Sequence, residues 1–141
     1  NWAWQKLNEI VLTKNAEPSI GLLGLAYKEN THSIKNSPAI ALLEKIKDKQ
    51  VIAYDPAVGD DLGGINISRA RTAVEVLEGA DVLLVMTPWP EFKNIPTFEV
   101  AVKMKGKIVI DPYGIFNETE LIENGFQYVT LGRSVKAPVH P

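Results

Sequence analysis

The sequence predicts an α/β domain: a doubly wound, largely parallel sheet with helices on both faces. Three observations point there. Short apolar runs of strand length recur at residues 20–26, 51–54, 81–86, 107–110 and 128–131, and runs apolar throughout suit strands buried on both faces of a parallel sheet. Segments with helical apolar spacing or helix caps lie between them. Most runs are closed by turn formers, as at Asp55-Pro56, Thr87-Pro88-Trp89-Pro90 and Asp111-Pro112. Strands alternating with helices require right-handed crossovers, and those cover both faces of the sheet.

Taken in order, residues 1–12 place Trp2, Trp4, Leu7, Ile10 and Val11 mostly three or four apart, which is helical spacing. The chain opens on Asn1 rather than Met, and this helix reads as the end of one that starts upstream. Residues 14–18 are a polar break. The first strand, 20–26, contains Gly21 and Gly24, both expected to serve close packing inside the strand. A polar loop follows. Ser37 suits a helix N-cap and Pro38 the first helical position. The helix they open should bury Ile40, Leu43 and Ile46 before ending in the charged residues 45–49.

Residues 51–54 form the second strand, and the glycines of 59–64 mark a loop. Residues 70–77 read as a short helix with Ala73, Val76 and Leu77 on one side. Residues 81–86 are the third strand, 98–104 a helix, and 107–110 the fourth strand. Residues 118–123 form a helix stopped by Asn124-Gly125. Residues 128–131 are the last strand, and 132–141 read as a tail containing His140. The architecture is Rossmann-like.

The 141 residues form one domain by length, with 45% hydrophobic and 23% charged residues, the balance of an ordinary globular domain. A net charge of -2 with interspersed signs argues against a nucleic-acid or membrane surface. No apolar run approaches the roughly 18 residues of a bilayer span, and no signal peptide pattern is present. There is no cysteine, so disulfides, thiolate metal sites and a thiol nucleophile are excluded within this chain. That fits a reducing compartment, and a cytoplasmic location is expected.

Lys28 lies just past the first strand, at the edge where open α/β sheets bind ligands. It is either a solvated loop lysine or a partner for a phosphate or sugar oxygen. Its neighbours Asn30, Thr31, His32, Ser33, Lys35 and Asn36 add a second cation and several short hydrogen-bonding groups, which suit a polyanionic ligand with hydroxyls. The glycines superficially match a dinucleotide fingerprint, but the spacing is wrong, and about ten residues separate strand from helix. Asp55 would be the ribose-binding acid of such a site, or a cap for its own turn. Trp89 lines a pocket or pins the turn between Pro88 and Pro90. Two histidines and no cysteine suggest no metal site. Glu91, Asp55 and Asp111 could pair as carboxylates, though no motif demands it.

The segment GLAYKENTHSIKNSPA resembles the motif that opens the C-terminal domain of the UDP-glucose/GDP-mannose dehydrogenase family. Further similarities fall in order: Tyr54-Asp55-Pro56, then Gly79-Ala80-Asp81, then Thr87 and Trp89 with Glu91-Phe92, then Ile110-Asp111, then Gly125-Phe126, Tyr128 and Gly132-Arg133. They cover about residues 16–134. The resemblance implies an enzyme of polysaccharide biosynthesis that oxidises the C6 alcohol of a UDP- or GDP-linked sugar to a carboxylate in two NAD-dependent steps. It implies that residues 1–15 end a central linking helix, 16–134 bind the nucleotide sugar, and 135–141 are a tail. NAD would be bound mainly by a domain outside this chain, and a homodimer would form through the upstream helical region. The catalytic cysteine would also lie upstream, so no catalytic residue is expected here and the fragment alone should be inactive.

By the same resemblance, Lys28 and Thr31 are substrate-binding, Tyr113 contacts the ligand, and Lys35 reaches the NAD pyrophosphate across a domain interface. Three departures stand out. His32-Ser33 replace an acidic pair, Lys35 replaces an arginine and loses its bidentate fork, and Tyr113 replaces an arginine and supplies no charge. These favour the alternative of a non-catalytic Rossmann-like binding or dimerisation module. A free-standing NAD-binding protein would need the missing glycine turn.

Overall fold

The computed structural model describes residues 1–131; the expectations for the tail, including Gly132-Arg133 and His140, lie outside the described residues. Six strands form one sheet in the order β3-β2-β1-β4-β5-β6, every neighbouring pair parallel. They are β1 (Ser19–Leu23), β2 (Gln50–Tyr54), β3 (Ser68–Arg69), β4 (Val82–Val85), β5 (Ile108–Ile110) and β6 (Gln127–Val129). The helices are α1 (Trp2–Leu7), continued by a π-helical turn over Asn8–Leu12, then α2 (Pro38–Ile46), α3 (Thr97–Lys103) and α4 (Glu118–Glu123).

The chain winds outward from β1 to β3, then returns and winds the other way from β4 to β6. Right-handed crossovers put the two sets of connections on opposite faces. α1 packs on α2, whereas α3 packs on α4 and on a 3-10 turn at Val74–Leu77 that lies over β1 and β2. The reversal between β1 and β4 is the topological switch point, where such sheets bind ligands outside the carboxyl ends of the strands.

The core follows from the runs that defined the strands. In register, Leu22 stands between Ala53 and Leu84, and Ile20 between Val51 and Val82. All four side chains of β4 are fully buried, and each such burial contributes about 1.5–3 kcal/mol. α2 begins because the Ser37 hydroxyl accepts from the Ala39 and Ile40 amides at 3.1 and 3.4 Å, with Pro38 at the first helical position. It buries Ala39, Leu42, Leu43 and Ile46, while Ile40, expected in the core, is half-buried.

Several expected elements are corrected. The helix expected over 70–77 is reduced to the 3-10 turn Val74–Leu77, and the edge strand β3 just before it was not expected. With Arg71 and Thr72 bonded through their amides to the Glu75 carboxylate at 2.6 and 3.0 Å, the segment is held by a side chain rather than by helical bonds. The last two prolines and tryptophan of the turn after β4 lead into a second 3-10 helix, Pro90–Asn94. The first strand stops at Leu23, so Gly24 lies beyond it and not inside it. Its φ of 100° is a left-handed conformation that glycine adopts cheaply, and a Cβ there would meet the Thr87 amide nitrogen at 2.5 Å. Gly21 does lie inside β1, where an added Cβ would meet the Val76 carbonyl oxygen at 2.6 Å. Only glycine therefore lets the 3-10 turn lie directly on the strand.

Candidate functional site

Past the carboxyl end of β1 the backbone is bound on every side. The Leu25 and Ala26 amides both donate to Oδ2 of Asp55, at 2.7 and 2.9 Å. The Leu25 carbonyl accepts from the Ser37 hydroxyl at 2.7 Å, and the Ala26 carbonyl from the Thr87 hydroxyl at 2.8 Å. The Tyr27 amide donates to the Ser33 carbonyl at 2.7 Å, closing the loop on itself. Buried backbone groups must be paired somewhere, and here side chains from β2, β4 and the cap of α2 do what a ladder would do within a strand.

Asp55 is the centre of this arrangement. It is 6% exposed. Its Oδ2 also accepts from the Trp89 indole N–H at 3.1 Å, and its Oδ1 from the Ala57 and Val58 amides at 2.8 and 3.1 Å. Five donors use the carboxylate's acceptor capacity of about four lone-pair sites. The turn-capping role holds, and no lone pair is left for a ribose hydroxyl. Trp89 pins the turn through the same carboxylate. Asp111, fully buried at the end of β5, is built the same way, accepting from the amides of Tyr113, Ile115 and Phe116 and from the Tyr128 hydroxyl. Neither aspartate is free for acid–base chemistry.

The switch point therefore does not fit a dinucleotide. Gly24 is pressed against Thr87, the glycine turn is absent, and the ribose acid is consumed. The polar loop beyond Tyr27 is different. Lys28 is exposed, and among the described residues its ammonium has no ion-pair or hydrogen-bond partner. Lys35, also exposed, is equally unpaired. Thr31 is half-buried, and its hydroxyl accepts from the Ser33 amide at 3.2 Å, a local turn bond. Asn30 and Asn36 adopt φ of 63° and 61°, the left-handed corners that fold the loop back.

Tyr113 stands on the neighbouring rim. Its hydroxyl donates to the Met86 carbonyl at 3.0 Å, tying the ends of β5 and β4. Burial first, then the Glu29 and Asp111 carboxylates, push its pKa up. Its proton is committed, so towards a ligand it presents lone pairs and a half-exposed ring. On the other flank Tyr54 donates to Glu91 at 3.0 Å, and burial, then that bond, push its pKa up to about 12.

Lys28, Thr31 and Lys35 share the loop after β1 and Tyr113 follows β5, all beyond carboxyl ends of strands, and none of them lines either of two cavities. One, about 570 Å³, lies at the amino ends of β1 and β2 between Lys47, Lys49, Asn66 and Glu78. The other, about 400 Å³, lies between Lys93, Thr97, Phe116 and Glu120. The sequence marks Ser37 as a cap and Thr87 as a turn residue within the family-like pattern, and neither as a partner for the backbone past β1. A hydroxyl ending an apolar run, beside its place in the family-like pattern, is the signal that marks Thr87.

A doubly wound parallel sheet defines a Rossmann-like domain, here with a cation-bearing loop at the edge where such sheets bind ligands. The profile of the UDP-glucose/GDP-mannose dehydrogenase family, UDP binding domain, matches residues 21–118, and the chain belongs to that family. It is 31% identical over 118 residues to a UDP-glucose 6-dehydrogenase of Rhizobium meliloti, a match covering 81% of this chain and 27% of that protein. It is 35% identical over 122 residues to a UDP-N-acetyl-D-mannosamine dehydrogenase of Pyrococcus horikoshii, covering 85% and 27%. The structure of the UDP-D-ManNAc dehydrogenase from Pyrococcus horikoshii aligns with a TM-score of 0.74 at 34% identity, over 94% of this chain and 30% of that one. The chain thus spans a little over a quarter of the length of these relatives. Among the described residues no helix is long and apolar enough to cross a membrane.

Proposed function

We propose that this domain binds the nucleotide sugar in an NAD-dependent nucleotide-sugar 6-dehydrogenase that oxidises the sugar C6 alcohol to a carboxylate. The observation behind this reading is the unpaired Lys28 ammonium on the rim of the switch point, inside the segment matched to the UDP binding domain. A lysine is a compact point charge with three donors, suited to a diphosphate oxygen. Thr31 shapes the loop that presents it, and Tyr113 offers acceptor lone pairs to sugar hydroxyls.

We take a second domain to close over this rim. In this reading that domain holds NAD, because the switch point of this one does not fit it. NAD would accept the hydride there, and Lys35 would face its pyrophosphate from this side. Residues 1–15 would end the helix that joins the two domains and leads to a homodimer contact, in a cytoplasmic enzyme of polysaccharide synthesis. The committed Tyr113 proton and the lysine at position 35 favour one other reading, a module that binds without catalysing.

Isothermal titration of UDP-glucose and UDP-N-acetylmannosamine against the full-length protein and its Lys28→Ala variant tests the proposal. Losing a charge-assisted bond costs about 1.5–3 kcal/mol, or roughly a 10–150-fold weaker Kd. Equal affinities would remove Lys28 from the site. Binding without sugar oxidation in the wild type would select the module.

A further inference from the structure

We propose that Thr87 is a positioning residue for the Lys28 ammonium, a role that rests on the reading of Lys28 as the nucleotide-sugar contact. Thr87 is fully buried just past β4, across the switch point from β1. Its hydroxyl donates to the Ala26 carbonyl, two residues before Lys28. The two peptide groups just before it are fixed through the Leu25 and Ala26 amides by Asp55, and the Leu25 carbonyl by Ser37. The Tyr27 amide is closed onto Ser33. The backbone that launches the loop is thus held from β2, β4 and α2, while the Lys28 side chain beyond it has no anchor of its own among the described residues.

Where the ammonium stands is set by that launch. Without the Thr87 hydroxyl, the Ala26 carbonyl loses its partner in a dry site and turns to find another. The peptide then rotates and the loop leaves the sheet at a different angle. The left-handed Gly24 makes this arrangement possible, since no other residue lets the Thr87 backbone approach so closely. Thr87 touches no reacting atom in this scheme. It acts through residue 28.

The test is a double-mutant cycle on UDP-glucose binding by the full-length protein, using Thr87→Val, Lys28→Ala and both together, with Thr87→Ser as the rescue. Thr87→Val should weaken binding about 3–10-fold, and Thr87→Ser should recover most of it. In the Lys28→Ala background Thr87→Val should change the Kd by less than about twofold, because the group it positions is gone. A residue that only stabilises the fold would give the same fold-loss in both backgrounds, and that result overturns the proposal. So does unchanged binding by Thr87→Val. If Thr87→Val does not fold, Trp89→Phe removes one donor from Asp55 and must show the same background dependence, or the proposal fails. Weakened binding by Lys28→Ala alongside unaffected Thr87 variants strikes only the positioning role. Unaffected binding by Lys28→Ala strikes the functional reading, and the positioning role with it.

Discussion

Replacing Asp55 by asparagine keeps the side-chain volume but changes one acceptor into a donor. The site holds five donors: the amides of Leu25 and Ala26 and the Trp89 indole on one oxygen, and the amides of Ala57 and Val58 on the other. An amide nitrogen turned towards Ala57 and Val58 leaves two donors without an acceptor; turned the other way it leaves three. The first orientation is preferred. Each stranded buried donor costs about 1–3 kcal/mol, and Ala57 lies near the surface, so Asp55→Asn should lose about 2–4 kcal/mol. At roughly 3–4 °C per kcal/mol for a domain of this size, Tm should fall by about 6–16 °C. Thermal unfolding followed by circular dichroism measures it. Asp61→Asn is the control, since Asp61 is exposed and accepts only from the Gly63 amide at 2.9 Å, and a change within about 0.5 kcal/mol is expected there. If Asp55→Asn melts no differently from that control, the carboxylate does not hold the loop as described.

Gly24→Ala combines a φ of 100° with a Cβ placed 2.5 Å from the Thr87 amide nitrogen, so it should destabilise by more than about 2 kcal/mol in urea unfolding, whereas Gly63→Ala, which meets nothing within 4 Å, should cost only its backbone strain. The Tyr54 hydroxyl holds its proton to about 12 in the folded state against an ordinary 10.0, so its contribution to stability is fully present below pH 10 and is lost as pH rises to about 12. Glu91→Gln removes the charge opposite that hydroxyl and should lower the ionisation midpoint in a phenolate absorbance titration; an unchanged midpoint would mean that the Glu91 contact is not maintained in solution.

Apolar strand runs, the Ser37-Pro38 cap and the Asn124-Gly125 stop were legible because each depends on local chemistry. Burial on both faces demands continuous apolar residues, and a helix end demands a cap. The cation on the rim was legible for the same reason: Lys28 follows directly on a strand. The segment at 70–77 is not the expected helix: Ala73, Val76 and Leu77 have helical spacing, but the Ala70 amide bonds to the Ala53 carbonyl of β2 and the Glu75 carboxylate takes the Arg71 and Thr72 amides. A two-residue edge strand leaves almost no pattern to read.

By itself the sequence determined the order of the five longer strands β1, β2, β4, β5 and β6, the helices α1 to α4 between and around them, and the charge offered at the sheet's edge. Tertiary structure alone decided which carboxylates were free. Asp55 and Asp111 look alike, in sequence, to any acid that ends a strand, and only the folded backbone brings five donors to one and four to the other. It also decided that Thr87 meets Ala26 across 61 residues of chain. Hydrogen bonds reach about 3 Å, so such pairings follow from sheet order rather than from spacing along the chain.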